Sequence, residues 1–126
     1  MYYIEASKET PLVSLNSEKG VFLIDGECVS ETPDEFFNNI TNWIENYSKN
    51  PYKTTTLTIN LRGINISSSK FLLNIIYQLE NIHKSGFQVK IRWVYKNGED
   101  GNYELGKDYS ETVSYTHLRA HETVAN

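Results

Sequence analysis

The sequence is short of the features that mark secreted, membrane-spanning and nucleic-acid-binding chains. It has one cysteine, Cys28, so no disulfide can close within the chain, and a reducing compartment fits. No apolar run approaches the roughly 20 residues that a membrane helix needs. Met1-Tyr2-Tyr3-Ile4-Glu5 lacks the basic and apolar regions of a signal peptide. The expected location is the cytoplasm. Lysine and arginine number 12 against 16 aspartates and glutamates, which leaves a formal charge of −4. Binding to nucleic acid calls for the opposite balance, because phosphates must be neutralised. The 126 residues suffice for one domain with one core and are too few for two.

What is abundant is aromatic. Nine tyrosines, five phenylalanines and two tryptophans supply large rings for a core or a binding face. An apolar share of 39% with 22% charged residues suits a folded domain and excludes a disordered one.

The pattern along the chain predicts an α/β fold. Leu12-Val13-Ser14-Leu15 and Gly20-Val21-Phe22-Leu23-Ile24 are short apolar runs joined by polar Asn16-Ser17-Glu18-Lys19, which reads as a hairpin. Thr32-Pro33-Asp34-Glu35 predicts a helix start, with Thr32 as N-cap, Pro33 at the first helical position and Glu35 completing a capping box. Phe36, Phe37, Ile40, Trp43, Ile44 and Tyr47 follow at helical spacing, and Asn50-Pro51 stops the helix. From Thr54 to Arg62 apolar and polar residues alternate as in a strand. Gly63-Ile64-Asn65 is expected to turn the chain into a second helix, from about Ser67 through Phe71, Leu72, Ile75, Ile76, Leu79 and Ile82, capped at Ser85-Gly86. Phe87 to Tyr95 alternates again. Lys96 to Asn102 reads as an exposed loop, and Glu104 to Thr112 as the start of a third helix. Strand, helix and strand with short links make a βαβ unit with parallel strands. The expected whole is a four-stranded mixed sheet, the hairpin plus the βαβ unit, with two to three helices mostly on one face.

The candidate functional segment is Asn65-Ile66-Ser67-Ser68-Ser69-Lys70, between a strand and a helix. Serine caps helices by accepting a hydrogen bond from an orphan backbone N–H. One serine is enough for that, and three leave two spare. A phosphoryl group there meets the positive end of the helix and adds about −1.5 to −2 charges to one spot. Unmodified, the same start offers Ile64, Ile66 and Phe71 as packing groups for a protein partner, beside Asn65, Ser69 and Lys70. The alternative is a nucleotide- or phosphate-ligand-binding domain using the same helix N-terminus. The segment lacks the second glycine and the Gly-Lys-Ser/Thr ending of a phosphate-binding loop.

Other groups read as structural. His83 sits near the end of the second helix, where a positive charge suits the dipole. Cys28 reads as a small buried residue. Glu99, Asp100, Glu104 and Asp108 do not follow the order of a calcium loop and read as a solvated acidic face. Trp43 and Trp93 fall on core positions. No cofactor, metal or catalytic residue is expected.

The tail stands apart. Val113-Ser114-Tyr115-Thr116-His117-Leu118-Arg119-Ala120-His121-Glu122-Thr123 resembles the translation of a sequencing adaptor. On that resemblance residues 1–112 are the native domain and 113–126 a non-native appendage, and a final native strand is missing. His117 and His121 at i, i+4 with Glu122 suggest zinc, but a catalytic site needs a third ligand that the chain does not offer.

Further marks run along the chain in order: Thr10-Pro11, Gly20-Val21, Pro33 with Glu35-Phe36, Asn65, Ser67, Ser68, Lys70, Ser85-Gly86, Arg92-Trp93-Val94-Tyr95 and Glu104-Leu105-Gly106-Lys107-Asp108-Tyr109. In that order and spacing, over residues 5 to 112, the chain resembles the SiaC-family regulatory phosphoproteins, whose fold is similar to STAS-domain anti-sigma-factor antagonists. The resemblance implies a non-enzymatic partner switch. A protein kinase phosphorylates the start of the second helix, a PPM-type phosphatase reverses this, and the unmodified form binds a GGDEF diguanylate cyclase in cyclic di-GMP and biofilm signalling. The family's usual Asn-Thr-Ser-Ser places Ile66 where the acceptor threonine stands. Either Ser67 or Ser68 is then the acceptor here, or the segment binds its partner without this switch.

Overall fold

A computed structural model of the chain describes residues 1–95 and, for their backbone, 116–120. Three antiparallel segments open it. β1 (Tyr2–Ile4) pairs with β2 (Leu12–Asn16), and β2 pairs with β3 (Val21–Cys28). The hairpin is set by side-chain chemistry at its tip, where Asn16 Oδ1 accepts from the Glu18 and Lys19 amides at 3.0 and 3.1 Å. Gly20 has φ +66°, and a Cβ there would collide with the Thr54 carbonyl. Two βαβ units follow. β3 leads through α1 (Pro33–Tyr47) to β4 (Thr54–Ile64), and β4 through α2 (Ile66–Lys84) to β5 (Gln88–Tyr95). Both strand pairs are parallel.

The alternation seen in the sequence sorts the two faces of the sheet. Val13 and Leu15, Phe22 and Ile24, Leu57, Ile59 and Leu61, and Val89, Ile91 and Trp93 are buried and share one core with Phe37, Ile40, Ile44 and Tyr47 of α1 and Leu72, Ile75, Ile76, Leu79 and Ile82 of α2. Both helices therefore cover the same face. The rings tie α1 to the hairpin: Phe22 meets Trp43 and Tyr47 edge-on at 5.6 and 5.0 Å, and Trp43 stacks on Tyr47 at 5.5 Å. Beneath them the Tyr47 hydroxyl pairs with buried Thr55 Oγ1 at 2.8 Å and accepts from the Tyr52 amide at 3.0 Å. The C-cap expected at Ser85-Gly86 is present. The Ser85 amide returns to Asn81 O and Ile82 O, and Gly86 has φ +106°. Among the described residues no helix is long and apolar enough to cross a membrane.

Three sequence expectations need correction. The Thr32 side chain makes no cap bond to α1, so the capping box does not form. The Thr32 amide instead donates to Ser30 Oγ at 3.1 Å, which turns the entering chain another way. Gly63-Ile64 does not turn the chain; β4 runs on to Ile64, and a register shift at Gly26/Glu27 lets Glu27 and Cys28 pair with Gly63 and Ile64. Among the described residues the sheet has six strands, in the order β1-β2-β3-β4-β5-β6, where four were expected. Three-residue β1 is too short to show a period. β6 (Thr116–Ala120) comes from the adaptor-like tail and lies parallel to β5, Ile91 facing Thr116 and Tyr95 facing Ala120. It occupies the edge of β5, where unpaired strand groups accept an extended segment. The expected loop at 96–102, third helix at 104–112 and acidic cluster lie outside the described residues.

Candidate functional site

The candidate segment is built around Asn65. Its backbone is extended, with φ −100° and ψ 169°, as an N-cap requires. Four bonds hold it. Its amide donates to Cys28 O at 3.1 Å, and its carbonyl accepts from the Ser69 amide at 3.0 Å. Its side-chain Oδ1 accepts from the Ser68 amide at 2.9 Å, while Nδ2 donates to Ser30 O, also at 2.9 Å. Asn65 thus joins the end of β3, the loop before α1 and the first turn of α2. Asparagine caps this helix, and none of the serines does. The expectation of a serine cap is corrected, because the amide provides both an acceptor for the helix and a donor for the neighbouring loop.

The residues after the cap face different surroundings. Ile66 is 80% exposed, an unusual position for a large apolar side chain. Ser67 is exposed, Ser68 is only 1% exposed, and Ser69 is half-buried with its Oγ donating to Ile66 O at 2.7 Å. Lys70 is exposed. Phe71 is half-buried and stacks on Phe37 of α1 at 5.4 Å, with the planes 8° apart. Phe36 meets Phe37 edge-on at 5.1 Å, and Ile64 is half-buried at the strand end. The segment therefore forms an apolar and weakly polar surface where α1 and α2 both begin.

Ser68 belongs to the interior. It lies four residues before Leu72 and seven before Ile75, on the stripe that α2 turns to the sheet. Its Oγ reaches no partner with hydrogen-bond geometry, although it lies near enough to the Cys28 thiol to act on it. Burial pushes the Cys28 thiol up from its ordinary value, and the Ser68 hydroxyl opposes this to a smaller extent. Cys28 is 2% exposed and raised, the reverse of a reactive cysteine.

Charge at the two helix starts differs. α1 carries Asp34 and Glu35 in its first turn, whereas α2 carries no acid in its first turn. The positive end of α2 is therefore not neutralised by its own side chains. A nucleotide phosphate is poorly served, since the Asn65 side chain already occupies the Ser68 amide. Among the described residues no group of three His, Cys, Asp or Glu side chains is placed to hold a metal ion. His83 bonds through Nδ1 to Phe87 O at 3.1 Å, where α2 hands over to β5.

Sequence reasoning selected Ile64, Asn65, Ile66, Ser67, Ser68, Ser69, Lys70 and Phe71, and the structure brings all eight to one end of α2. It missed the Asn65 bond to Ser30 O, which spans 35 residues of sequence. It also missed the burial of Ser68, although the helical period, extended back from Leu72, reaches that position.

Comparisons with known proteins show the family and the fold. The model of a family described as SiaC family regulatory phosphoprotein matches residues 4–123. An uncharacterized protein of Pseudomonas aeruginosa strain UCBPP-PA14 is 26% identical over 121 residues, 95% of this chain and 96% of that one. A structure of SiaC from Pseudomonas aeruginosa superposes with a TM-score of 0.87 at 26% identity, covering 95% of this chain and 98% of that one. A chain in the crystal structure of the diguanylate cyclase SiaD in complex with its activator SiaC, from the same organism, superposes with a TM-score of 0.89 at 25% identity, covering 96% and 100%.

Proposed function

This chain belongs to the SiaC family of regulatory phosphoproteins, and from that premise we propose that it is a non-enzymatic partner switch whose docking surface is the start of α2. The observation that carries the reading is Ile66. An isoleucine 80% exposed at the first helical position contributes nothing to the core and offers an apolar knob to another protein. Asn65 fixes the turn that presents it, with Ile64, Ser69, Lys70 and Phe71 around it. The partner is a diguanylate cyclase of the GGDEF class, by analogy with the SiaD–SiaC complex. The protein acts in the cytoplasm, and the tail from 113 to 126 carries no selected role.

Regulation acts on the same surface. A protein kinase places a phosphoryl group on Ser67 or Ser68, and a PPM-type phosphatase removes it. The charge and its hydration shell then enter a contact that is apolar in the unmodified form. Loss of a contact worth about 2 kcal/mol weakens binding roughly thirty-fold. The test is calorimetric titration of the SiaD cyclase into the unmodified chain and its Ser67→Asp and Ser68→Asp variants. Weakened binding of either variant at an unchanged melting temperature supports the switch, and unchanged affinity in both contradicts it. Titration with nucleotides separates the alternative ligand-binding reading, which requires a saturable signal.

A further inference from the structure

Resting on that reading of the surface, we infer that Ser67 is the phosphate acceptor of this chain and that Ser68 and Ser69 are not. The three hydroxyls occupy one turn yet have three different surroundings. Ser68 lies beneath the turn, 1% exposed, on the stripe that continues into Leu72 and Ile75. Bringing its Oγ to a kinase requires breaking the bond from its amide to Asn65 Oδ1 and unwinding the helix start. A phosphoryl group left there would place its charge inside the core, beside Cys28. Ser69 is half-buried, and its hydroxyl proton is engaged with Ile66 O at 2.7 Å. Ser67 is exposed, and among the described residues nothing hydrogen-bonds its hydroxyl.

The surroundings of Ser67 also suit the product. The first turn of α2 holds no acid, so a phosphate at its second position meets the positive helix end without a carboxylate from its own turn. Lys70 is exposed three residues on, the spacing at which helix side chains pair. Ile66 is the adjacent residue, so the new charge stands next to the docking knob. Isoleucine in place of the family's acceptor threonine thus moves the modification by one residue without moving it off the surface.

The step is a phosphoryl transfer from a nucleoside triphosphate held by the kinase. Ser67 Oγ forms a bond to the γ-phosphorus as the bond from that phosphorus to the β,γ-bridging oxygen breaks. The electron pair leaves with the nucleoside diphosphate, and the hydroxyl proton passes to a base on the kinase. In the reverse step water attacks phosphorus, Ser67 Oγ leaves and takes a proton, and inorganic phosphate is released.

Two measurements test the assignment separately from the docking reading. The full chain is expressed in Pseudomonas aeruginosa, recovered, and its phosphopeptides mapped by mass spectrometry, together with Ser67→Ala, Ser68→Ala and Ser69→Ala variants. Phosphate on Ser67, abolished only by Ser67→Ala, is the expected result. Phosphate on Ser68 or Ser69, or none on any serine of the turn, overturns the assignment. In parallel, phosphoserine is installed at position 67 during translation, and binding to SiaD is compared with that of the unmodified chain. A thirty-fold or greater loss with an unchanged melting temperature is expected, and affinity within twofold of the unmodified chain overturns the assignment. If the unmodified chain itself fails to bind SiaD, the docking reading falls, and the phosphopeptide map still decides the acceptor.

Discussion

Asn65→Ala removes a side chain that pins the candidate surface, and its cost can be worked from the structure. The backbone bonds of residue 65, to Cys28 O and from the Ser69 amide, survive the change. Two side-chain bonds do not. Loss of the acceptor for the Ser68 amide is loss of an N-cap, typically about 1 kcal/mol. Loss of the donor to Ser30 O leaves that carbonyl without its partner at a residue only 8% exposed, about 1 kcal/mol more. The total of about 2 kcal/mol is a large part of the roughly 5–15 kcal/mol that holds a domain together. At about 3–5 °C per kcal/mol for a chain of this length, it lowers the melting temperature by about 6–10 °C. Urea denaturation of Asn65→Ala and Asn65→Asp beside the parent checks this. The aspartate keeps the acceptor for the Ser68 amide and loses only the donor, so it should fall between the other two. Hydrogen exchange should show the loss of protection concentrated in residues 66–69. A stability for Asn65→Ala within 0.5 kcal/mol of the parent would refute the idea that this side chain pins the turn.

Ser68→Ala should be near neutral or slightly stabilising in a urea melt, because it removes a buried hydroxyl that lacks a well-formed hydrogen bond; a loss above about 1 kcal/mol would show a bond that the structure does not contain. Tyr47→Phe should cost about 1–2 kcal/mol by the same assay, since it leaves fully buried Thr55 Oγ1 and the Tyr52 amide without their common partner. Phe22→Ala, which empties a site with no exposed surface between Trp43 and Tyr47, should cost about 3–5 kcal/mol. Burial raises the Cys28 thiol in the folded chain, so the unfolded chain loses that proton first as pH rises. The contribution is whole below the ordinary thiol value of 9.0 and is lost as pH climbs from there through the folded value. Denaturation at pH 8 to 10.5 should therefore show the parent losing more stability than Cys28→Ala, and parallel curves would contradict the burial argument.

Much of the fold was legible because its faces alternate cleanly. Leu57, Ile59 and Leu61 turn inward and Thr56, Thr58 and Asn60 outward, so β4 was readable from composition alone. Phe37, Ile40, Ile44 and Tyr47 marked the buried stripe of α1 in the same way. What escaped depends on contacts distant in sequence. Gly63-Ile64 has the composition of a turn, and only the register shift opposite Gly26/Glu27 keeps it in the sheet. Thr32-Pro33-Asp34-Glu35 has the composition of a capping box, and the bond from the Thr32 amide to Ser30 Oγ diverts it. β6 owes its place to the edge of β5 and not to any periodicity of its own. The candidate site was found as a segment, but its internal order was not. Asn65 reaches across to Ser30 O, and the period of α2 runs one turn further back than its large apolar residues show, so Ser68 faces inward and Ser67 outward.

The central claim is that the start of α2, presented by Asn65 and led by Ile66, is where a partner docks. The most direct test is hydrogen exchange of the unmodified full chain with and without saturating SiaD cyclase, read alongside the affinity of an Ile66→Asp variant. Docking at this surface predicts new protection centred on residues 64–71 and at least a thirty-fold loss of affinity for Ile66→Asp at unchanged stability. Protection confined to the far end of α2 or to the outer strands, with Ile66→Asp binding as tightly as the parent, would contradict it.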